Sequence, residues 1–188
     1  ASDVYKRQVH LTETYTDFFA KKATMTRPET QLKLSLYSSI LYLCLGEPMK
    51  ARKSMKNIFG SGKFFHTLPS YKTARLINLL IQAELGDYCF FANEISSIKR
   101  MIGYEKQVYI TEKLLFRFLM AHPLPIYKKD QEKLWSQYQK DIMRIRQDKY
   151  EKQLLKTFDF TAWIESKLTN IPLREILSRT DWYISAKQ

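Results

Sequence analysis

The feature that most constrains this chain is a pair of glycines, Gly46 and Gly86, that stand 40 residues apart. Each follows a nearly all-apolar helical segment, and each precedes a segment whose apolar residues fall on one helical face. Glycine is favoured directly after a helix because it adopts the left-handed conformation without strain. A further 40 residues leads to Ile126, in a third connection between helices. Three helix pairs with one period are typical of an α-solenoid.

The composition favours helices throughout the chain. Five glycines and six prolines in 188 residues are too few for the tight turns of a β-sandwich or barrel. The apolar spacing predicts helices over residues 28–45, 49–59, 70–85, 87–101, 104–120, 128–146, 149–168 and 170–183, with a weaker one over 9–22. We therefore predict an all-α, right-handed α-solenoid of antiparallel helix pairs, with about three pairs and C-terminal capping helices.

The first eight residues are unusual. The residues from Asp3 to Gln8 match the translated sequence of a transposon mosaic end used in sequencing libraries. Residues 1–8 therefore resemble adapter sequence. The alternative is an ordinary polar helix start. If they are adapter, residues 9–188 form a single helical-repeat domain that is truncated at its N-terminus. The apolar surface of residues 32–45 is then expected to be partly uncovered.

The turns at the two glycines carry a family resemblance. Leu45-Gly46-Glu47 and Leu85-Gly86-Asp87-Tyr88 resemble the turn between the paired helices of tetratricopeptide repeats. Ala51 and Ser39 match the small residues at which that family's helices approach each other. Phe91 and Leu79 replace them in the second copy, and the period is longer than the family's. The resemblance covers about residues 28–120 and implies degenerate repeats.

A second resemblance lies near the C-terminus. Residues 158–167, Phe-Asp-Phe-Thr-Ala-Trp-Ile-Glu-Ser-Lys, are similar to the closing helix of uncharacterised bacterial repeat proteins, chiefly from Bacteroidota. That resemblance implies no activity. In such proteins the repeats present a concave surface to protein partners, so the expected function is a non-catalytic scaffold for protein or peptide binding.

The motifs of enzymes and metal sites are missing from the sequence. No phosphate loop or dinucleotide fingerprint can be built from the five glycines, and no CxxC or HExxH occurs. His66 and His122 each begin an H-x-L-P motif. We interpret the two histidines as packing residues of loops and not as a zinc or catalytic site. Five later carboxylates are interleaved with basic residues and are interpreted as solvated surface charges: Asp130, Glu132, Asp141, Asp148 and Glu151. We predict no enzyme activity and no cofactor.

Charge and cysteine usage bear on partners and location. The formal net charge is +12, and it is spread over both halves of the chain. Such a surplus favours anionic partners. Cys44 and Cys89 stand in apolar stretches and are expected to be buried, reduced thiols. No segment is long and apolar enough to cross a membrane, and a cytoplasmic setting is expected.

Two binding hypotheses follow, and each has a structural alternative. The first is a peptide groove lined by aromatic hydroxyls from the first helices of the pairs, namely Tyr37, Tyr42, Tyr71, Tyr104 and Tyr109. The alternative is that most of these tyrosines are half-buried packing residues.

The second hypothesis is nucleic-acid binding by a basic surface. Its candidate residues are Lys50, Arg52, Lys53, Lys56, Lys128, Lys129, Lys133, Lys140, Arg144 and Arg146. The alternative is an ordinary solvated basic face.

Overall fold

A computed structural model describes residues 27–60, 62–102, 109–125 and 127–179 of the chain. Residues 1–8, the segment 9–22, Tyr104, Trp182 and Tyr183 lie outside the described residues, so the predictions made for them stay predictions. The described residues contain helices and no strand, which confirms the all-α class. They form two compact units that divide between Asp87 and Tyr88.

The described part of the first unit contains three α-helices, α1 (Pro28–Cys44), α2 (Pro48–Gly60) and α3 (Tyr71–Glu84), and a short 3-10 helix, Gly62–Phe65. Prolines stand at the starts of α1 and α2, where a missing N–H costs nothing. Each α-helix packs against the other two. Ser39 on α1 and Ala51 on α2 are both fully buried, as expected where two helices approach closely.

The two glycine turns predicted from the sequence share one geometry, while Ile126, the third position of the predicted period, lies outside the described residues. Gly46 and Gly86 have φ angles of +73° and +74°. The N–H of Glu47 donates to the carbonyl of Tyr42 at 2.8 Å, and the N–H of Asp87 donates to the carbonyl of Gln82 at 2.9 Å. This six-to-one hydrogen bond around a left-handed residue satisfies otherwise unpaired helix carbonyls. The two turns are equivalent bond for bond.

The second unit begins with a 3-10 helix, Tyr88–Phe90, and its described residues continue through six α-helices. These are α4 (Phe91–Ile102), α5 (Ile110–Met120), α6 (Lys128–Gln147), α7 (Glu151–Leu155), α8 (Phe160–Thr169) and α9 (Leu173–Arg179). Helix α8 is buried on most sides, because α5, α6 and α9 all pack against it. Trp163 of α8 and Phe118 of α5 meet edge to face, with ring centroids 5.6 Å apart.

One predicted helix is two helices in the structure. The sequence predicts a single helix over residues 149–168, but the chain leaves α7 after Leu155 and starts α8 at Phe160. Asp159 is the reason, because its Oδ1 accepts hydrogen bonds from the N–H groups of Thr161 and Ala162. An aspartate that caps the N–H groups of the following turn starts a new helix.

Candidate functional site

Four of the five candidate tyrosines lie within the described residues, and their surroundings differ. Tyr42 and Tyr71 are buried, so their rings pack inside the first unit and are closed to a peptide. Tyr37 is 53% exposed. Tyr109, in the second unit, is half-buried and stacks on Tyr150 with ring centroids 4.7 Å apart. Tyr37 alone among the described tyrosines of this set offers an open aromatic surface.

Tyr37 belongs to an apolar surface on α1 that faces away from the core of the first unit. Leu32, Leu36 and Leu43 bury one side of α1. On the opposite side, helical spacing aligns four residues that we call the α1 outer stripe, namely Leu34, Tyr37, Leu41 and Leu45. Leu41 is 48% exposed, while Leu34 and Leu45 are half-buried. A signal for this stripe existed in the sequence, since apolar residues surround α1 almost completely.

The basic residues of α2 are solvent-exposed. Ala51, Met55 and Ile58 bury the inner side of α2, and Lys50, Arg52, Lys53 and Lys56 all face solvent. Lys50 pairs with Glu47 at 3.0 Å. These four cations lie in the first unit, whereas the other six candidates lie in the second.

The basic residues of α6 divide into two groups. Four of them share one exposed side of the helix and are called the basic α6 stripe, namely Lys129, Lys133, Lys140 and Arg144. Lys128 is exposed at the first turn. Arg146 is different, because its Nη2 lies 2.9 Å from Glu165 Oε2 and its Nε donates to Thr161 Oγ1 at 3.0 Å.

Arg146 is therefore engaged inside the second unit. Its Nη2 also lies 3.8 Å from Asp159 Oδ2, and the Asp159 side chain is nearly fully buried. One guanidinium thus ties α6 to the first turn of α8. This pairing compensates charges that would otherwise be costly to bury. Arg146 contributes to the fold and is not an open contact for an anion.

The Glu151 carboxylate lies at the start of α5. It was expected at the solvated surface, but its side chain is buried. Glu151 Oε1 accepts from the N–H of Ile110 at 2.7 Å, and Oε2 accepts from the N–H of Thr111 at 2.9 Å. A carboxylate at a helix N-terminus satisfies free N–H groups and complements the helix dipole. The expectation of a solvated Glu151 was wrong, because the chain folds back over 40 residues.

Asp148 caps the short helix that carries Glu151. Its Oδ1 accepts from the N–H of Tyr150 at 2.7 Å and from the N–H of Glu151 at 3.2 Å. Tyr150 is held against Tyr109, the residue before α5. The carboxylates and aromatic rings at this position join α5 to α7 and fix the fold.

The histidines with the H-x-L-P spelling lie in different units and environments. His122 is half-buried, with its ring 5.2 Å from Phe118 and 5.3 Å from Tyr88 between centroids. His66 is exposed and lies against the Tyr71 ring at 4.6 Å. Each packs on aromatic rings of its own unit. Within the described residues no group of His, Cys, Asp and Glu side chains could hold a metal ion.

The two cysteines also differ. Cys44 is partly buried at the end of α1, and burial raises the pKa of its thiol to about 11. Cys89 is exposed in the 3-10 helix that begins the second unit. The expectation that Cys89 is buried was wrong, because its neighbour Phe91 supplies the buried side chain at this point. Neither thiol forms a disulfide.

Comparisons of the chain with protein-family models, curated proteins and solved structures find no match. Among the described helices, none is both long enough and apolar enough to span a bilayer.

Proposed function

We propose that this chain is a non-catalytic helical-repeat scaffold that binds a protein or peptide, and that the α1 outer stripe is its docking surface. The exposed pair Tyr37 and Leu41 carries the proposal. Large apolar side chains that stay open on one side of a packed helix are characteristic of interaction surfaces. A tyrosine next to a leucine supplies contact area together with a hydroxyl that can hydrogen-bond.

The proposed architecture is a right-handed α-solenoid of degenerate tetratricopeptide-like helix pairs. It is supported by the equivalent turns at Gly46 and Gly86 and by the complete burial of Ser39 and Ala51. In such a scaffold α1 is held rigidly by α2 and α3, so little ordering entropy is lost when a partner docks. A reducing, cytoplasmic setting is proposed as well, and the unpaired thiols of Cys44 and Cys89 suit it.

A displayed library of random peptides, selected on the full chain, tests this function. We expect enriched peptides to carry apolar anchors and to lose about tenfold or more in affinity for Leu41→Glu, because a buried unpaired charge opposes docking. Tyr37→Glu should have a similar effect. Both residues are exposed, so neither variant should change the helical circular dichroism signal.

Met143→Glu is the matched control, because Met143 is a similarly exposed apolar residue, 55% accessible, on α6 in the other unit. Its affinity for the selected peptides should equal that of the unmodified chain. Failure to enrich any peptide, or equal binding to the Leu41→Glu variant, would contradict the proposed function.

A further inference from the structure

We infer that the basic α6 stripe binds the phosphate backbone of double-stranded DNA without reading its base sequence. This inference concerns a surface of the second unit, whereas the proposed peptide function uses α1 of the first unit. It therefore goes beyond that function and does not depend on it. Of the ten basic candidates on two helices, the structure engages Arg146 in the fold and places four others along one exposed side of α6.

The stripe is straight and lies on the solvent side of α6. Its members stand at positions i, i+4, i+11 and i+15, which lie within a narrow arc at 3.6 residues per turn. All four are exposed, and so are Ser136 and Gln137 between them. The opposite side of α6 is buried through Tyr138, Ile142 and Ile145. At a rise of 1.5 Å per residue the stripe runs for about 22 Å.

The acidic residues of α6 do not cover the stripe. Asp141 Oδ2 accepts from Arg117 Nη2 at 2.6 Å, so its charge is compensated by a cation on α5. Asp130 and Glu132 are exposed at the first turns, and helical geometry places them on either side of the line through the cations. Among the described residues, no carboxylate forms an ion pair with Lys133 or Lys140, so these two exposed ammonium groups face solvent.

The shape and chemistry of the stripe fit a duplex. Each DNA strand presents one phosphate per 3.4 Å of axis, so about 22 Å of duplex contains roughly six phosphates of each strand, enough to give each of the four cations a partner. Single-stranded nucleic acids are usually held by exposed aromatic rings as well as by cations, and the exposed uncharged side chains between the cations, Ser136, Gln137 and Met143, carry no ring. Protein interfaces rely on aromatic and apolar anchors at their centre, which the four cations do not supply.

Double-stranded DNA is favoured over RNA for a geometric reason. The major groove of B-DNA is wide enough for an α-helix, whereas that of A-form RNA is deep and narrow. A helix of 20 residues such as α6 can lie in or along the DNA groove with its cations toward one strand.

Fluorescence anisotropy with a labelled 20-base-pair DNA duplex tests the inference, using the full chain between 50 and 200 mM salt. The variant K129Q/K133Q/K140Q/R144Q removes the stripe. We expect it to lose about tenfold or more in affinity and to reduce the slope of log K against log salt by roughly 3 to 4. The control K50Q/R52Q/K53Q/K56Q removes the same charge from α2, and we expect less than a threefold change.

Several results would overturn the inference. The first is that the unmodified chain does not bind the duplex at 50 mM salt. The second is that the two quadruple variants lose equal affinity. The third is that the chain binds a single strand, an RNA duplex or a poly-glutamate peptide more tightly than the DNA duplex. If the quadruple variant does not fold, the single variants Lys133→Gln and Lys140→Gln decide, because each should lower the slope by about 0.9. An unchanged slope in both would equally overturn it.

Discussion

The Glu151 carboxylate receives two hydrogen bonds from Thr111, one from the backbone N–H at 2.9 Å and one from the hydroxyl at 2.7 Å. A third comes from the N–H of Ile110. These bonds fix the first turn of α5 to the first residue of α7. The side chains of both Glu151 and Thr111 are buried, so water cannot replace either partner.

Replacing Glu151 is expected to destabilise the second unit. Glu151→Ala leaves the N–H groups of Ile110 and Thr111 and the buried Thr111 hydroxyl without this acceptor, which costs about 2–4 kcal/mol of unfolding free energy. Thr111→Val removes one donor and should cost about 1 kcal/mol. Urea unfolding followed by tryptophan fluorescence reports this unit, because all three tryptophans follow residue 88. Glu132→Ala, an exposed acid, serves as control, and a Glu151→Ala variant as stable as this control would contradict the capping role.

Substitution of Gly46 or Gly86 should lower the stability of the protein more than substitution of Gly60. Gly46→Ala and Gly86→Ala place a Cβ on a left-handed backbone and should each cost about 1–2 kcal/mol. Nothing lies within 4 Å of the added atom in either case, so the cost is conformational. Gly60 ends α2 without a positive φ and also has open space. Gly60→Ala should be neutral or stabilising by up to about 1 kcal/mol.

Circular dichroism during urea unfolding measures the unfolding free energy of these glycine variants. Tryptophan fluorescence does not report this unit, because the first unit has no tryptophan. Gly46→Asn should recover part of the lost stability, since asparagine tolerates the left-handed region better than alanine. Equal stabilities for Gly46→Ala and Gly60→Ala would show that the left-handed turn does not control the stability of this unit.

The ion pair between Arg146 and Glu165 should show strong coupling in a double-mutant cycle. Both side chains are mostly buried, so we expect the cycle of Arg146→Met and Glu165→Gln to give about 1–2 kcal/mol. The exposed pair Glu29 and Lys33 at 2.7 Å is the comparison, and its cycle should give a much smaller coupling energy, because solvent screens the two charges. Similar coupling energies in the two cycles would contradict the role assigned to burial.

The cysteines should react at different rates with a thiol reagent. The pKa of Cys44 is raised to about 11 by burial, so at pH 8 its thiolate fraction is only about one in a thousand. Its labelling rate should rise about tenfold per pH unit from 8 to 10, because the thiolate is the reactive form. Cys89 is exposed and should be labelled first at pH 8.

Single-cysteine variants assign the two reaction phases. Cys89→Ser should leave the slow phase and Cys44→Ser the fast one. Faster labelling of Cys44 than of Cys89 at pH 8 would contradict the difference in burial.

The raised pKa of the Cys44 thiol also makes the stability of the protein depend on pH. The favourable contribution of protonated Cys44 is complete below its ordinary value of 9.0 and declines as pH rises toward about 11.

The local structure of this chain follows from its sequence, because local structure depends on neighbours along the chain. The helix starts at Pro28 and Pro48 and the turns at Gly46 and Gly86 were all predictable. Proline and glycine restrict or permit particular backbone angles wherever they stand. The break before α8 was missed because an aspartate inside an apolar run becomes a cap only when it accepts from the following N–H groups.

The roles of the charged and aromatic residues were decided by the tertiary structure. Glu151 and Arg146 looked like surface charges in the sequence, yet one caps a helix formed 40 residues earlier and the other pairs with two carboxylates. Tyr42 and Tyr37 looked alike, yet one is buried and the other open. Sequence spacing gives the side of a helix on which a residue lies, whereas burial depends on which distant helix packs there. The long-range contacts of the folded chain set that second property.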